Sequence, residues 1–85
     1  MKPKKGRSLG YFSAPEGIWP KIGWCHTNAI GVSVMPDWQT ASDWIVEVRI
    51  NDKRHEDPGR YNAEAAVNKM YEYYEYYYDK YNNNE

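Results

Sequence analysis

Ala63-Glu64-Ala65-Ala66-Val67-Asn68-Lys69-Met70-Tyr71-Glu72-Tyr73-Tyr74-Glu75-Tyr76-Tyr77-Tyr78-Asp79-Lys80-Tyr81 is the stretch that decides the fold. It runs nineteen residues without glycine or proline and mixes alanine, glutamate, lysine and methionine with its tyrosines, which predicts a helix. At about 100° per residue, Ala63, Ala66, Val67, Met70, Tyr71, Tyr74, Tyr77, Tyr78 and Tyr81 gather on one broad side, and Glu64, Asn68, Glu72, Glu75 and Asp79 on the other. One side is therefore core and the other acidic. Asn62 is a natural N-cap, Glu64 suits the first turn, and Asn82 to Asn84 is a polar ending.

Upstream, Trp44-Ile45-Val46-Glu47-Val48-Arg49-Ile50 is β-branched and alternates, so Trp44, Val46, Val48 and Ile50 share one strand face and Ile45, Glu47 and Arg49 the other. Asn51-Asp52 tolerates the left-handed backbone of a tight hairpin, which predicts Lys53 to Asp57 as a returning strand stopped by Pro58-Gly59. Ile30 to Met35 alternates in the same way, and Pro36 to Asp43 is read as a connecting loop. The expected fold is α+β: a three-stranded antiparallel sheet packed on one C-terminal helix, the only element long enough to cover one sheet face. In the first 28 residues, glycines and prolines interrupt Tyr11, Phe12, Ile18, Trp19, Ile22 and Trp24, all of which call for burial. Residues 1–12 are read as a flexible basic arm, 13–85 as a single small domain, and Ile22 to His26 as a candidate fourth strand.

A chain of 85 residues supports one small core, and its 41% hydrophobic and 27% charged composition fits a globular domain. No apolar run of membrane-spanning length occurs, and Met1-Lys2-Pro3-Lys4-Lys5 is not followed by the apolar segment of a secretion signal. The single Cys25 excludes an internal disulfide and fits a reducing compartment, so a cytoplasmic location is expected. The formal net charge is −1, yet Lys2, Lys4, Lys5 and Arg7 cluster at one end and acids dominate the other. Such a balance supplies the basic surface that nucleic acid requires only locally.

The order Gly31-Val32, then Trp44 with Glu47-Val48-Arg49, then Asn51-Asp52-Lys53, then Gly59-Arg60-Tyr61, then Ala65, Ala66, Val67 and Tyr71 resembles a known family. It is similar to the three-stranded-sheet-plus-helix DNA-binding domain of ethylene-response factors and of integrase-type modules, over Ile30 to Tyr78. That resemblance implies a major-groove reader using the open sheet face, with Glu47, Arg49 and Trp38 as the surviving contact residues. Where the family carries further arginines and a tryptophan, this chain has Ile30, Ser33, Met35, His55 and Asp57. Arginine on guanine is the commonest base-specific contact, so the departure removes most of the implied sequence reading.

Among chemistry-bearing residues, Cys25-His26 is not a catalytic pair, because neighbours in a strand point apart and no third group orients them. His55, Glu56 and Asp57 are consecutive and match no metal spacing. The expectation is no enzyme, no metal, no cofactor and no small-molecule substrate. Tyr73 and Tyr76 fall off the main apolar side, and with Glu72, Glu75 and Asp79 they form a candidate protein-binding stripe of aromatic anchors and phosphate-mimicking acids. Lys4, Lys5 and Arg7 are candidate phosphate contacts on a mobile arm, against the plainer reading of a solubilising tail. The leading expectation is a small non-enzymatic inhibitor or adaptor that binds a host protein or nucleoprotein complex. Phage and other mobile elements encode such proteins against CRISPR or restriction complexes. The alternative is a DNA-binding module using the open sheet face and the basic arm.

Overall fold

The computed structural model describes residues 14–40 and 42–82. The order of elements is α1 (Ile18–Thr27), β1 (Ile30–Pro36), β2 (Trp44–Ile50), β3 (Lys53–Glu56) and α2 (Ala63–Asn82). The three strands form one antiparallel sheet in the order β1-β2-β3, and both α1 and α2 lie against it. The α+β architecture and the C-terminal helix on the sheet are as the sequence predicts. Arm residues Lys4, Lys5 and Arg7 lie outside the described residues.

One expectation is overturned: Ile22 to His26 is not a fourth strand but the body of α1, a second helix. Pro20 is its third residue, within the first turn, where a backbone N–H has no intrahelical acceptor to lose. Gly17 precedes the helix at φ 79°, a left-handed conformation that favours glycine. Ile18, Ile22 and Cys25 then recur at helical spacing and are all buried, whereas Trp19, expected inside, is 65% exposed. Glycine and proline here shape the helix entry rather than forbid the helix.

The core joins Ile18, Ile22 and Cys25 of α1 to Ile30 and Val32 of β1, Val46 and Val48 of β2, and Ala66, Tyr71 and Tyr74 of α2. Trp44 and Ile50 pack beside it, so the face assigned to β2 from its alternation is the buried one. The hairpin turn places Asn51 at φ 51° and Asp52 at φ 72°, with Ile50 paired to Lys53, the two-residue geometry its chemistry calls for. At the start of α2, the Ala65 N–H donates to Asn62 Oδ1 at 2.8 Å, the expected cap.

Past β3 the chain leaves regular pairing. The Asp57 N–H still bonds the Val46 carbonyl at 2.8 Å, after which Pro58 to Arg60 bulge out and Tyr61 pairs with Trp44. The Asp57 side chain, 9% exposed, stitches this bulge: its Oδ1 accepts from the Gly59 N–H at 2.8 Å and the Tyr61 hydroxyl at 2.6 Å, and its Oδ2 accepts from Tyr73 of α2. A Cβ on Gly59 would lie 2.6 Å from the Tyr61 hydroxyl oxygen, so glycine is needed for close approach.

Candidate functional site

The outer side of α2 carries the candidate protein-binding stripe. Tyr73 is tethered within the fold: its hydroxyl donates to Asp57, and its ring stacks on Tyr77 with centroids 6.1 Å apart. That hydrogen bond, then burial, holds the Tyr73 phenol well above its ordinary range. Burial pushes the Asp57 carboxyl upward, but the bonds from Tyr61, Tyr73 and the Gly59 amide, with the nearby Lys69 charge, outweigh it and leave the carboxyl below its usual range. Tyr73 is thus part of the joint between sheet and helix.

Tyr76 does stand out in solvent, at 54% exposure, with the Lys80 ammonium 5.6 Å from its ring centroid and the Tyr77 ring edge-on at 5.0 Å. With Lys69, Glu72 and Tyr73 it lines a shallow concavity of about 270 Å³. The acids are less free than their spacing implies. Glu72 pairs with Lys69 at 3.1 Å, and Glu75 reaches across to Lys21 of α1 at 3.2 Å, leaving Asp79 as the exposed acid of the stripe without an ion-pair partner among the described residues. Exposed ion pairs of this kind hold a side chain in place more than they stabilise, typically by under about 1 kcal/mol.

Trp38, a candidate nucleic-acid contact, sits on the loop between β1 and β2. Trp38 is 87% exposed, yet residues on either side of it are fastened: Asp37 N–H donates to the Asp43 carbonyl at 2.9 Å and Asp43 N–H to the Thr40 carbonyl at 3.0 Å. The Asp37 carboxylate accepts from the Gln39 N–H and from Arg60 Nε, both at 3.0 Å. A large ring is therefore presented on a braced loop. Tyr81, assigned to the apolar side by periodicity, is 44% exposed at the far end of α2, stacked on Tyr77.

The open sheet face carries the candidate nucleic-acid residues. Pairing sets Gly31, Arg49 and Arg54 in one crosswise row and Ser33, Glu47 and Glu56 in the next. Arg54 approaches Glu47 at 4.0 Å and Glu56 pairs with Arg60 at 3.3 Å, so acids and bases alternate in rows and largely cancel. Arg49 is exposed and lines a concavity of about 380 Å³ with His26, Gly31, Val32, Ser33, Glu47 and Tyr74. Its guanidinium forms no ion pair among the described residues.

Behind that concavity, the Tyr74 hydroxyl closes the outer edge of β1. It accepts from the Val32 N–H at 2.9 Å, donates to the Val32 carbonyl at 3.1 Å, and meets His26 Nε2 at 2.8 Å. With the His26 proton on Nε2, the oxygen uses its one donor and both acceptor positions. Burial pushes the Cys25 thiol up, and the thiol donates to the Tyr74 carbonyl at 3.6 Å. Sequence reasoning missed Asp57 as a tertiary joint. Asp-Pro-Gly followed by Tyr61 four residues on was the available signal. No helix among the described residues is long and apolar enough to cross a membrane. Neither a protein-family model, nor a curated protein, nor a solved structure matches the chain.

Proposed function

We propose that the chain is a small non-enzymatic protein-binding inhibitor or adaptor. Its target is a host protein or nucleoprotein complex of nucleic-acid machinery, such as a CRISPR or restriction complex, of the kind phage proteins act on. The observation that carries the binding reading is the exposure of Trp38, at 87%, on a braced loop, joined by Tyr76 at 54% on a packed helix. Tryptophan and tyrosine are the residues that most often dominate binding energy at protein interfaces, and holding them in place before contact lowers the ordering cost of association. The sheet face argues in the same direction, because its basic row and its acidic row lie side by side and offset one another rather than forming the positive surface that phosphate neutralisation needs.

The test is affinity capture from nuclease-treated bacterial lysate with wild type, Trp38→Ala and Tyr76→Ala, beside fluorescence anisotropy on random duplex DNA at two salt concentrations. Stoichiometric capture of a protein that either alanine variant loses supports the proposal. Micromolar DNA binding that weakens steeply with salt, with no protein captured, replaces it with a DNA-binding module reading through Arg49 and Glu47.

A further inference from the structure

We infer that β3 is a self-association edge, on which a second copy of this chain adds its own β3 antiparallel to form a continuous six-stranded sheet. All four residues of β3 are exposed, and neither helix packs on the strand, although α1 and α2 both pack on β1 and α2 also packs on β2. In the pairing of β3 with β2, the hydrogen-bonding groups of Lys53, His55 and Asp57 turn toward β2, as the Asp57 N–H to Val46 carbonyl bond shows. Those of Arg54 and Glu56 therefore point away from the sheet and bond no partner among the described residues, which leaves them open to a further strand.

A two-fold axis midway between the His55 residues of the two copies, perpendicular to the sheet, sets Arg54 opposite Glu56 of the second copy and Glu56 opposite its Arg54. Both are residues whose N–H and C=O face outward, so the register that matches charge also matches hydrogen bonding. The match extends inward. The crosswise row Arg49, Arg54 of one copy continues into Glu56, Glu47 of the other, and the neighbouring row reads the reverse. Charged side chains on an edge strand ordinarily prevent pairing. Here the two signs are placed so that the edge repels most strangers and complements itself, as an isologous interface must. Arg54 and Glu56 are free to turn outward, since their present ion pairs, at 4.0 Å and 3.3 Å, sit on side chains that are 64% and 50% exposed. The same axis leaves both helix layers on one side of the joined sheet, so the two Tyr76 anchors act as a pair.

Sedimentation velocity of the full chain over about 1 to 200 μM, the range expected for a small interface, tests the inference. Wild type is expected to move from monomer toward twice 10.1 kDa with rising concentration. Arg54→Glu and Glu56→Arg each set like charges face to face twice and should weaken association by at least about ten-fold. Mixed together, the two variants should pair as a heterodimer, because opposite charges then meet at both contacts. At one, the introduced glutamate faces the introduced arginine, and at the other the native Glu56 of the first variant faces the native Arg54 of the second. Circular dichroism verifies that each variant keeps its fold. A wild type that stays monomeric throughout, single variants that associate as well as wild type, or a mixture that fails to pair overturns it.

Discussion

Replacing Asp57 with alanine removes three hydrogen bonds at once, from the Gly59 amide and from the Tyr61 and Tyr73 hydroxyls. A hydrogen bond to a charged group contributes roughly 1.5–3 kcal/mol net, and the two half-buried tyrosines recover part of theirs from water, so a loss of about 3 kcal/mol is expected. Total stability for a chain of this length is only about 4–13 kcal/mol. For a small domain each kcal/mol moves Tm by about 4–8 °C, which places Asp57→Ala about 12–24 °C below wild type at pH 7. Asp57→Asn keeps the shape and one carbonyl acceptor and should fall about half as far. The pH dependence has a definite sign. Because the folded carboxyl lies below its ordinary value, its contribution is present above the unfolded pKa of about 3.9 and disappears as pH falls through the folded value. Urea denaturation followed by circular dichroism from about pH 7 to pH 2 measures this against Asp57→Asn, which lacks that acid-dependent component. An alanine variant melting within about 3 °C of wild type, or wild-type and asparagine curves that stay parallel into acid, would refute the idea that this carboxylate fastens the sheet to the helix.

Ala29 holds φ 64° just after α1, a left-handed conformation that costs a side chain about 1 kcal/mol, so Ala29→Gly should raise stability by several tenths of a kcal/mol after its gain in unfolded-state entropy is set against it. Thermal melts read the sign, and a lower Tm contradicts the argument. Tyr74→Phe removes the hydroxyl that serves the Val32 N–H and C=O at the edge of β1, and should cost about 1–2 kcal/mol while speeding hydrogen exchange at the Val32 amide. Unchanged exchange there would mean that the hydroxyl is not the edge's partner.

Much of the fold was legible because its elements carry strong local chemistry. The alternation of β2, the Asn51-Asp52 turn and the Asn62 cap each state a backbone conformation within a few residues, and each took the form they imply. The stripe on α2 was legible only as a stripe. Periodicity cannot tell Tyr73, fastened to Asp57, from Tyr76, left in water, since the difference lies in what the bulge after β3 brings beneath the helix. Glu75 reads as a free acid for the same reason, because Lys21, which meets it, lies on another helix, whereas the Lys69–Glu72 pair is an i,i+3 contact within α2 that residue spacing already expresses.

The amino-acid sequence by itself determined that three strands precede a tyrosine-rich helix and which face of β2 is buried, because period and turn chemistry are local properties. Tertiary structure alone decided that Ile18 to Thr27 is helical, since Pro20 and Gly23 weaken any local preference and the burial of Ile18, Ile22 and Cys25 in the core supplies what propensity lacks. It also decided which charges cancel. Arg54 finds Glu47, and Asp37 finds Arg60, through a strand register and a loop closure that residue order does not express.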